Sequence, residues 1–357
     1  MSDAPDPDDS TAPEVDAGLD AAVAEEPLPA DATEMDAERF RDVATTIEAE
    51  LAKLMVGQTE LIRLCLVAMI GGGHVLLEGV PGLGKTVLVR SMASSLHLDF
   101  ARVQFTPDLM PGDITGSHIV NEDEHGRRVF EFVPGPLFTN LLLADEINRA
   151  TPKTQSALLE AMAERQVTTA DHTRALPAPF FVLATQNPIE NEGTYPLPEA
   201  QLDRFFFKLV VTLPSPSELV EIALRTIGAE EVRIAPVAKG EELLAMGRLA
   251  RDVPVARHVL ERAANIITAT HPDRAEAPED VRRYVRWGAS PRGMQTIIVA
   301  ARIRALLEGR FNVALDDLAA VAPPALRHRL FLNFEADAAG VSADAVVASV
   351  LAHLDRD

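Results

Sequence analysis

Gly79-Val80-Pro81-Gly82-Leu83-Gly84-Lys85-Thr86 is the stretch on which the fold turns. A short apolar run, His74 to Leu77, precedes it, and Val87, Leu88, Ser91 and Met92 follow at helical spacing. Strand, glycine loop and helix in that order make a cradle for phosphate. The glycines let the backbone curl so that successive N–H groups face the anion, and the helix N-terminus adds the positive end of its dipole. Lys85 would reach the β- and γ-phosphates and the Thr86 hydroxyl would ligate Mg²⁺. A glycine-rich turn that merely precedes a lysine would need neither flank.

Outward from this loop, four more apolar runs are bounded by Gly, Pro and Asp: Phe100 to Phe105, Leu141 to Ala144, Phe180 to Thr185 and Phe205 to Val211. Continuous rather than alternating runs suit parallel strands buried on both faces, and the intervals between them are long enough for crossover helices. The expectation is a doubly wound α/β core with a five-stranded parallel sheet. Upstream, Phe40, Val43, Ile47, Leu51 and Leu54 form a stripe at helical spacing, so a helix opens the domain. Beyond Pro214 and Pro216 the pattern is helical: Leu219, Ile222 and Ala223, then Leu243, Leu244 and Met246, then Val259, Ala263, Ile266 and Ile267. Such stripes with short connections read as a C-terminal all-α bundle.

A phosphate site of this type needs a carboxylate for the metal and a group to activate water. Leu141-Leu142-Leu143-Ala144-Asp145-Glu146 supplies both, because a buried strand ending in two acids aims them at the carboxyl edge of the sheet, where ligands bind. Asp145 would hold Mg²⁺ and Glu146 would activate water. Asn187, after Phe180 to Gln186, could orient that water or sense the γ-phosphate; the other reading is an Asn starting a turn before proline.

Composition narrows the field. Of 357 residues 47% are hydrophobic and 24% charged, enough for two structured units. The formal charge is −21, but Met1 to Asp36 holds 12 acids and no Lys or Arg, leaving −9 for the rest. That balance argues against a nucleic-acid binder held by general electrostatics. The acidic stretch, rich in Ala and Pro, cannot offset the entropy of ordering and is expected to be a disordered tail. One cysteine, Cys65, excludes an internal disulfide, and no Cys/His cluster or His-Glu-x-x-His segment has zinc spacing. His74, His97, His258 and His271 are expected to be structural or solvent-facing. Leu64 to Leu77, the most apolar early run, is broken by Gly71, Gly72, Gly73 and His74, so a cytoplasmic chain with no membrane span is expected.

These pieces, in this order, resemble the AAA+ P-loop ATPases, and the MoxR family in particular. The similar stretches are Met55 to Gln58, Gly79 to Thr86, Gln104 to Ile114, Ala144 to Ala150, Gln155 to Met162, Ala184 to Pro188, Glu199 to Phe205 and Ala322 to Arg329. The resemblance implies an α/β nucleotide-binding domain over 37–213, a helical lid over 214–330 and a helical extension over 331–357, after the tail at 1–36. Its implied cofactors are ATP and Mg²⁺. Val56, Gly57 and Gln58 would lie near the adenine, and Gly79, Pro81, Gly82, Leu83, Gly84, Lys85, Thr86 and Asp145 would hold the phosphates and metal. Asn187 would be sensor 1. Arg292, in Ser290-Pro291-Arg292, would touch the γ-phosphate of its own subunit as sensor 2. Arg204 would act in trans on a neighbour's site, with Arg149 the alternative for that role.

The family also implies a homo-oligomeric ring, most simply a hexamer, acting on a protein client with a von Willebrand factor A domain partner. No Asp-x-Ser-x-Ser segment occurs, so that partner would be a separate chain. Ser117 to Val133 and Gln166 to Leu176 resemble the helix 2 insertion and pre-sensor 1 hairpins, expected to face the client. Two departures stand out: Thr168-Thr169-Ala170-Asp171 lacks a glycine, and Val211-Thr212-Leu213-Pro214 lacks a tyrosine. The competing readings are a nucleic-acid or transcriptional AAA+ motor and a chelatase-type motor subunit.

Overall fold

The structure, a computed structural model, describes residues 35–80, 82–122, 128–169, 172–187, 194–227 and 233–356. The expected acidic tail up to residue 34, Pro81, the tip of the first hairpin at 123–127, Ala170-Asp171 and Pro188 lie outside the described residues.

The chain opens with α1 (Ala37–Ala52) and α2 (Thr59–Ile70), then β1 (Val75–Glu78), α3 (Lys85–Ser95), β2 (Phe100–Gln104) and the short α4 (Pro111–Thr115). A hairpin, β3 (Gly116–Glu122) and β4 (Arg128–Pro134), leads to β5 (Leu141–Asp145), a 3₁₀ turn (Ile147–Arg149) and α5 (Pro152–Glu164). A second hairpin, β6 (Gln166–Thr168) and β7 (Thr173–Ala175), precedes β8 (Phe181–Gln186), α6 (Glu199–Leu202) and β9 (Phe207–Val210). The helical part runs through α7 (Pro216–Ile227), α8 (Gly240–Asp252), α9 (Arg257–Ala269), α10 (Glu279–Tyr284), β10 (Val285–Trp287) and α11 (Pro291–Leu307). It closes with α12 (Leu315–Leu326), β11 (Phe331–Leu332), α13 (Phe334–Ala339) and α14 (Ala343–Leu354).

All five apolar runs are strands of one parallel sheet in the order β2-β5-β8-β1-β9. Alternation along the strands sorts their side chains into two cores. Leu77, Leu141, Leu143, Phe181, Leu183 and Phe207 share one cluster with the first three helices and the helical bundle. Leu76, Leu142, Ala144, Val182 and Ala184 pack in the other with Leu158, Leu159 and Met162 of α5. The opening stripe behaves as its spacing dictates: Asp36 caps α1 by accepting from the Arg39 N–H at 2.8 Å, and Phe40, Ala44, Ile47 and Leu51 are buried.

Among the described residues, the helical bundle and the α/β part share one apolar core. Ile297, Ala300 and Ala301 of α11 lie in the same cluster as Phe40, Ile47, Ile62 and Leu66, and residues 33–357 form one compact unit. α14 packs on α9, α10 and α12, so the C-terminal stretch is part of the bundle. Among the described residues no helix is long and apolar enough to cross a membrane.

His74, at the foot of β1, is a buried structural residue. Its Nδ1 accepts from Val182 N–H at 3.0 Å, so Nε2 carries the proton donated to Met162 O, also at 3.0 Å. Burial, helped by the nearby Arg165 charge, holds its pKa down at about 3. His328 is likewise buried, with Nε2 on Phe205 O, and burial puts it well below the ordinary value. Both are neutral in the fold and would protonate in the unfolded chain below about pH 6.5. Their contribution is therefore present above that pH and lost as pH falls toward the folded values, with a slope of about 1.4 kcal/mol per pH unit for each. Denaturant unfolding at pH 7 and pH 5 should differ by roughly 2–4 kcal/mol, with a shallower dependence in His74→Gln. A flat profile would contradict the neutral assignment.

Candidate functional site

The site forms where β1, β5 and β8 end at the carboxyl edge of the sheet. Gly82 and Gly84 take φ of 85° and 79°, the left-handed region that costs glycine little. A Cβ on Gly82 would meet nothing within 4 Å, so the loop faces open space. Gly84 caps α3, which begins at Lys85. The Lys85 ammonium donates to Gly79 O at 2.7 Å. Partial burial pulls its pKa below the ordinary value, while the charges of Asp145 and Glu146 pull it back.

Both acids stand at the end of β5. Asp145 Oδ1 accepts from the buried Thr185 hydroxyl at 2.6 Å, and Oδ2 accepts from Arg102 Nη2 at 2.6 Å. Glu146 adopts a left-handed conformation, φ 56° and ψ 50°, and its N–H donates to the same Thr185 oxygen at 2.9 Å. Glu146 Oε2 accepts from Gln104 Nε2 at 2.7 Å and from Arg149 Nη1 at 3.1 Å. Buried Gln155 holds the turn that follows, donating to Ile147 O at 3.2 Å and Ala150 O at 3.1 Å. Arg149 thus faces Glu146 of its own subunit.

Gly82, Gly84, Lys85, Thr86, Asp145, Glu146 and Asn187 line one cavity of about 240 Å³, together with Val87, Arg102 and Gln104. Leu83 packs against the core instead. Val56, Gly57 and Gln58 occupy the turn between α1 and α2, which approaches the loop: the Met55 side chain lies 3.8 Å from where a Cβ on Gly84 would be. Gly57 has φ 74°, and a Cβ there would sit 2.0 Å from Glu218 Oε1 at the start of α7. Loop amides at a helix N-terminus, one ammonium, one hydroxyl and two carboxylates fit a triphosphate with its magnesium.

Neither of the two expected arginines, Arg204 and Arg292, lines this cavity. Arg204 is exposed just before β9, and its Nη1 donates to Leu159 O at 2.7 Å. Arg292 is exposed in the first turn of α11, near enough to Arg329 for its charge to bear on that guanidinium. Asp203, which precedes Arg204, has a carboxylate that accepts from Ser290 Oγ, two residues before Arg292, at 2.9 and 3.0 Å and from Arg329 Nε at 2.7 Å. Arg329 also donates to the carbonyls of Asp203, Phe205 and Phe206. The Ala322 to Arg329 stretch, singled out in the sequence without a role, is thus the staple that ties α12 to the segment carrying Arg204.

Comparisons with known proteins bear on the family and the fold. Residues 74–207 match the family described as ATPases associated with various cellular activities, and residues 277–350 match the AAA lid domain. Chaperone MoxR1 of Mycobacterium tuberculosis is 44% identical over 85% of this chain and 79% of its own length. The chain belongs to the MoxR family of AAA+ ATPases. The YeaC protein of Bacillus subtilis is 45% identical, covering 84% of this chain and 90% of its own. A crystal structure at 2.00 Å of a candidate ATPase from Cytophaga hutchinsonii superposes with a TM-score of 0.83 at 38% identity, covering 89% of this chain and 96% of that one. The AAA+ core with its five-stranded parallel sheet and helical lid is therefore as expected.

Proposed function

We propose that this MoxR-family chain is an ATP-hydrolysing remodelling chaperone whose site is completed by a neighbouring subunit in a ring, most simply a hexamer. The observation that carries the proposal is a division of labour. Loop, hydroxyl, carboxylates and Asn187 share one cavity, while Arg204 and Arg292 are not among its lining residues.

When bound, a magnesium–triphosphate would supply a γ-phosphoryl group with its charge partly neutralised. Thr86 and Asp145 would hold the metal, and the loop amides with Lys85 the phosphates. Glu146, pinned by its own N–H, would take the proton of the attacking water, and Asn187 would orient that water. Arg204 would enter the next subunit's site, where its fork stabilises charge on the transferring group. Arg292, two residues after the Ser290 that binds Asp203, would serve that boundary rather than its own subunit's phosphates.

The client surface we assign to the two hairpins. Val120 and Phe130 face each other across β3 and β4 and are 54% and 73% exposed, while the base of the same face is held by Arg174 of β7 over the Phe132 ring at 3.9 Å. A von Willebrand factor A domain protein would be the adaptor.

The test is complementation. Arg204→Ala and Glu146→Gln subunits, each nearly inactive alone, should regain turnover when mixed, because a mixed boundary pairs an intact Glu146 with an intact Arg204. An assembled Arg204→Ala ring with undiminished turnover would sink the intersubunit reading.

A further inference from the structure

The cavity has one charged wall that the sequence reading passed over. Arg102 sits on β2, the edge strand, and its Nη2 lies 2.6 Å from Asp145 Oδ2 and 3.2 Å from Gln104 Oε1. Parallel pairing of β2 with β5 places Gln104 opposite Asp145 and Arg102 opposite Leu143. Arg102 and Gln104, two residues apart, therefore stand on one side of the strand, beside the two acids.

We propose that Arg102 is the resident counter-ion of Asp145, and that loading of magnesium with nucleotide is an exchange in which the guanidinium leaves that carboxylate. The inference rests on the nucleotide reading above. Each Asp145 oxygen already has a donor: the Thr185 hydroxyl on Oδ1 and Arg102 on Oδ2. Thr185 cannot yield. It is fully buried, and the same oxygen accepts the Glu146 N–H, so moving it would also displace the residue proposed to activate water. Arg102 can yield, because its side chain is 48% exposed at the sheet edge. A divalent cation on Asp145 and a guanidinium at hydrogen-bond distance from the same carboxylate repel, so the weaker and more mobile cation moves.

The exchange reaches the second acid. Gln104 accepts from Arg102 through its oxygen and donates through its nitrogen to Glu146 Oε2. Once Arg102 departs, that glutamine loses the donor that fixes its amide orientation. Arg102 is thus a positioning residue for metal loading: it keeps Asp145 paired before the metal arrives and couples the two carboxylates through one amide.

The test compares affinities for a fluorescent ATP analogue, N-methylanthraniloyl-ATP, with excess Mg²⁺ and with EDTA, in wild type, Arg102→Gln and Arg102→Lys. In Arg102→Gln nothing need be displaced, so the ratio of the Mg²⁺ to the EDTA affinity should rise two- to fivefold, the scale of an exposed ion pair. Arg102→Lys, which keeps the charge without the fork, should fall between. A purely structural role would lower both affinities together and leave the ratio unchanged, and an unchanged or smaller ratio in Arg102→Gln overturns the proposal. Failure of wild type to bind the analogue under either condition overturns the nucleotide reading, and this inference with it.

Discussion

Glu146→Gln should leave nucleotide binding in place and reduce turnover by at least about a hundredfold, the scale of losing a positioned general base. The local geometry makes this a clean substitution. The residue is held through its backbone, by the N–H to Thr185 Oγ1 at 2.9 Å and by a left-handed conformation at the end of β5. A glutamine keeps the volume and still offers an oxygen to Arg149 or Gln104, so the turn has no reason to move. What it loses is the capacity to take a proton. Single-turnover hydrolysis measured beside analogue binding separates the two effects, and turnover within threefold of wild type would remove Glu146 from its proposed role. The same variant, loaded with ATP, should retain client and adaptor for capture.

The elements around this site were legible to different depths. The five strands could be read because both faces of the sheet are covered, which forces unbroken apolar runs; Leu141 to Ala144 is buried throughout. The glycine loop and the acids at the end of β5 could be read because each is local, with chemistry set by spacing within a few residues. Arg102 could not. It precedes the motif beginning at Gln104 by two residues, and its meaning depends on β2 pairing with β5, an order that local patterning does not specify. Asp203 was overshadowed by Arg204 for the same reason, since its partners Ser290 and Arg329 are 87 and 126 residues away. Arg292 shows both sides: its proline-led helix start is a local signal and is present in α11, whereas its place outside the cavity lining is a matter of tertiary placement. Charge also misleads at Arg329, where a cation ordinarily marks surface, yet this one is buried because several carbonyls converge on it.

That convergence sets the largest expected loss of stability. The Arg329 side chain is 1% exposed. Burial lowers its pKa and the Asp203 carboxylate opposes that shift, and the hydrogen bonds run from Nε to Asp203 Oδ1 at 2.7 Å and from Nη2 to Asp203 O at 3.0 Å and Phe205 O at 2.7 Å. Nη1 adds Phe206 O at 3.3 Å and the carbonyl of Ala325. Arg329→Ala leaves a carboxylate and buried carbonyls without donors. Breaking a buried pair from one side costs about 3–5 kcal/mol, and because Asp203 is 26% exposed and water can reach it, about 3 kcal/mol is the better figure. Arg329→Lys should recover little, since one ammonium cannot reproduce the planar fork. Chemical denaturation of both variants supplies the check, and a loss under about 1 kcal/mol would mean the staple is dispensable. Binding of the analogue by folded Arg329→Ala should be nearly unchanged, because Arg329 does not line the cavity. Turnover in the assembled protein should fall, because the segment freed from α12 carries Arg204. A variant that binds normally and hydrolyses poorly is what a site shared between subunits requires; a site complete within one subunit would lose neither.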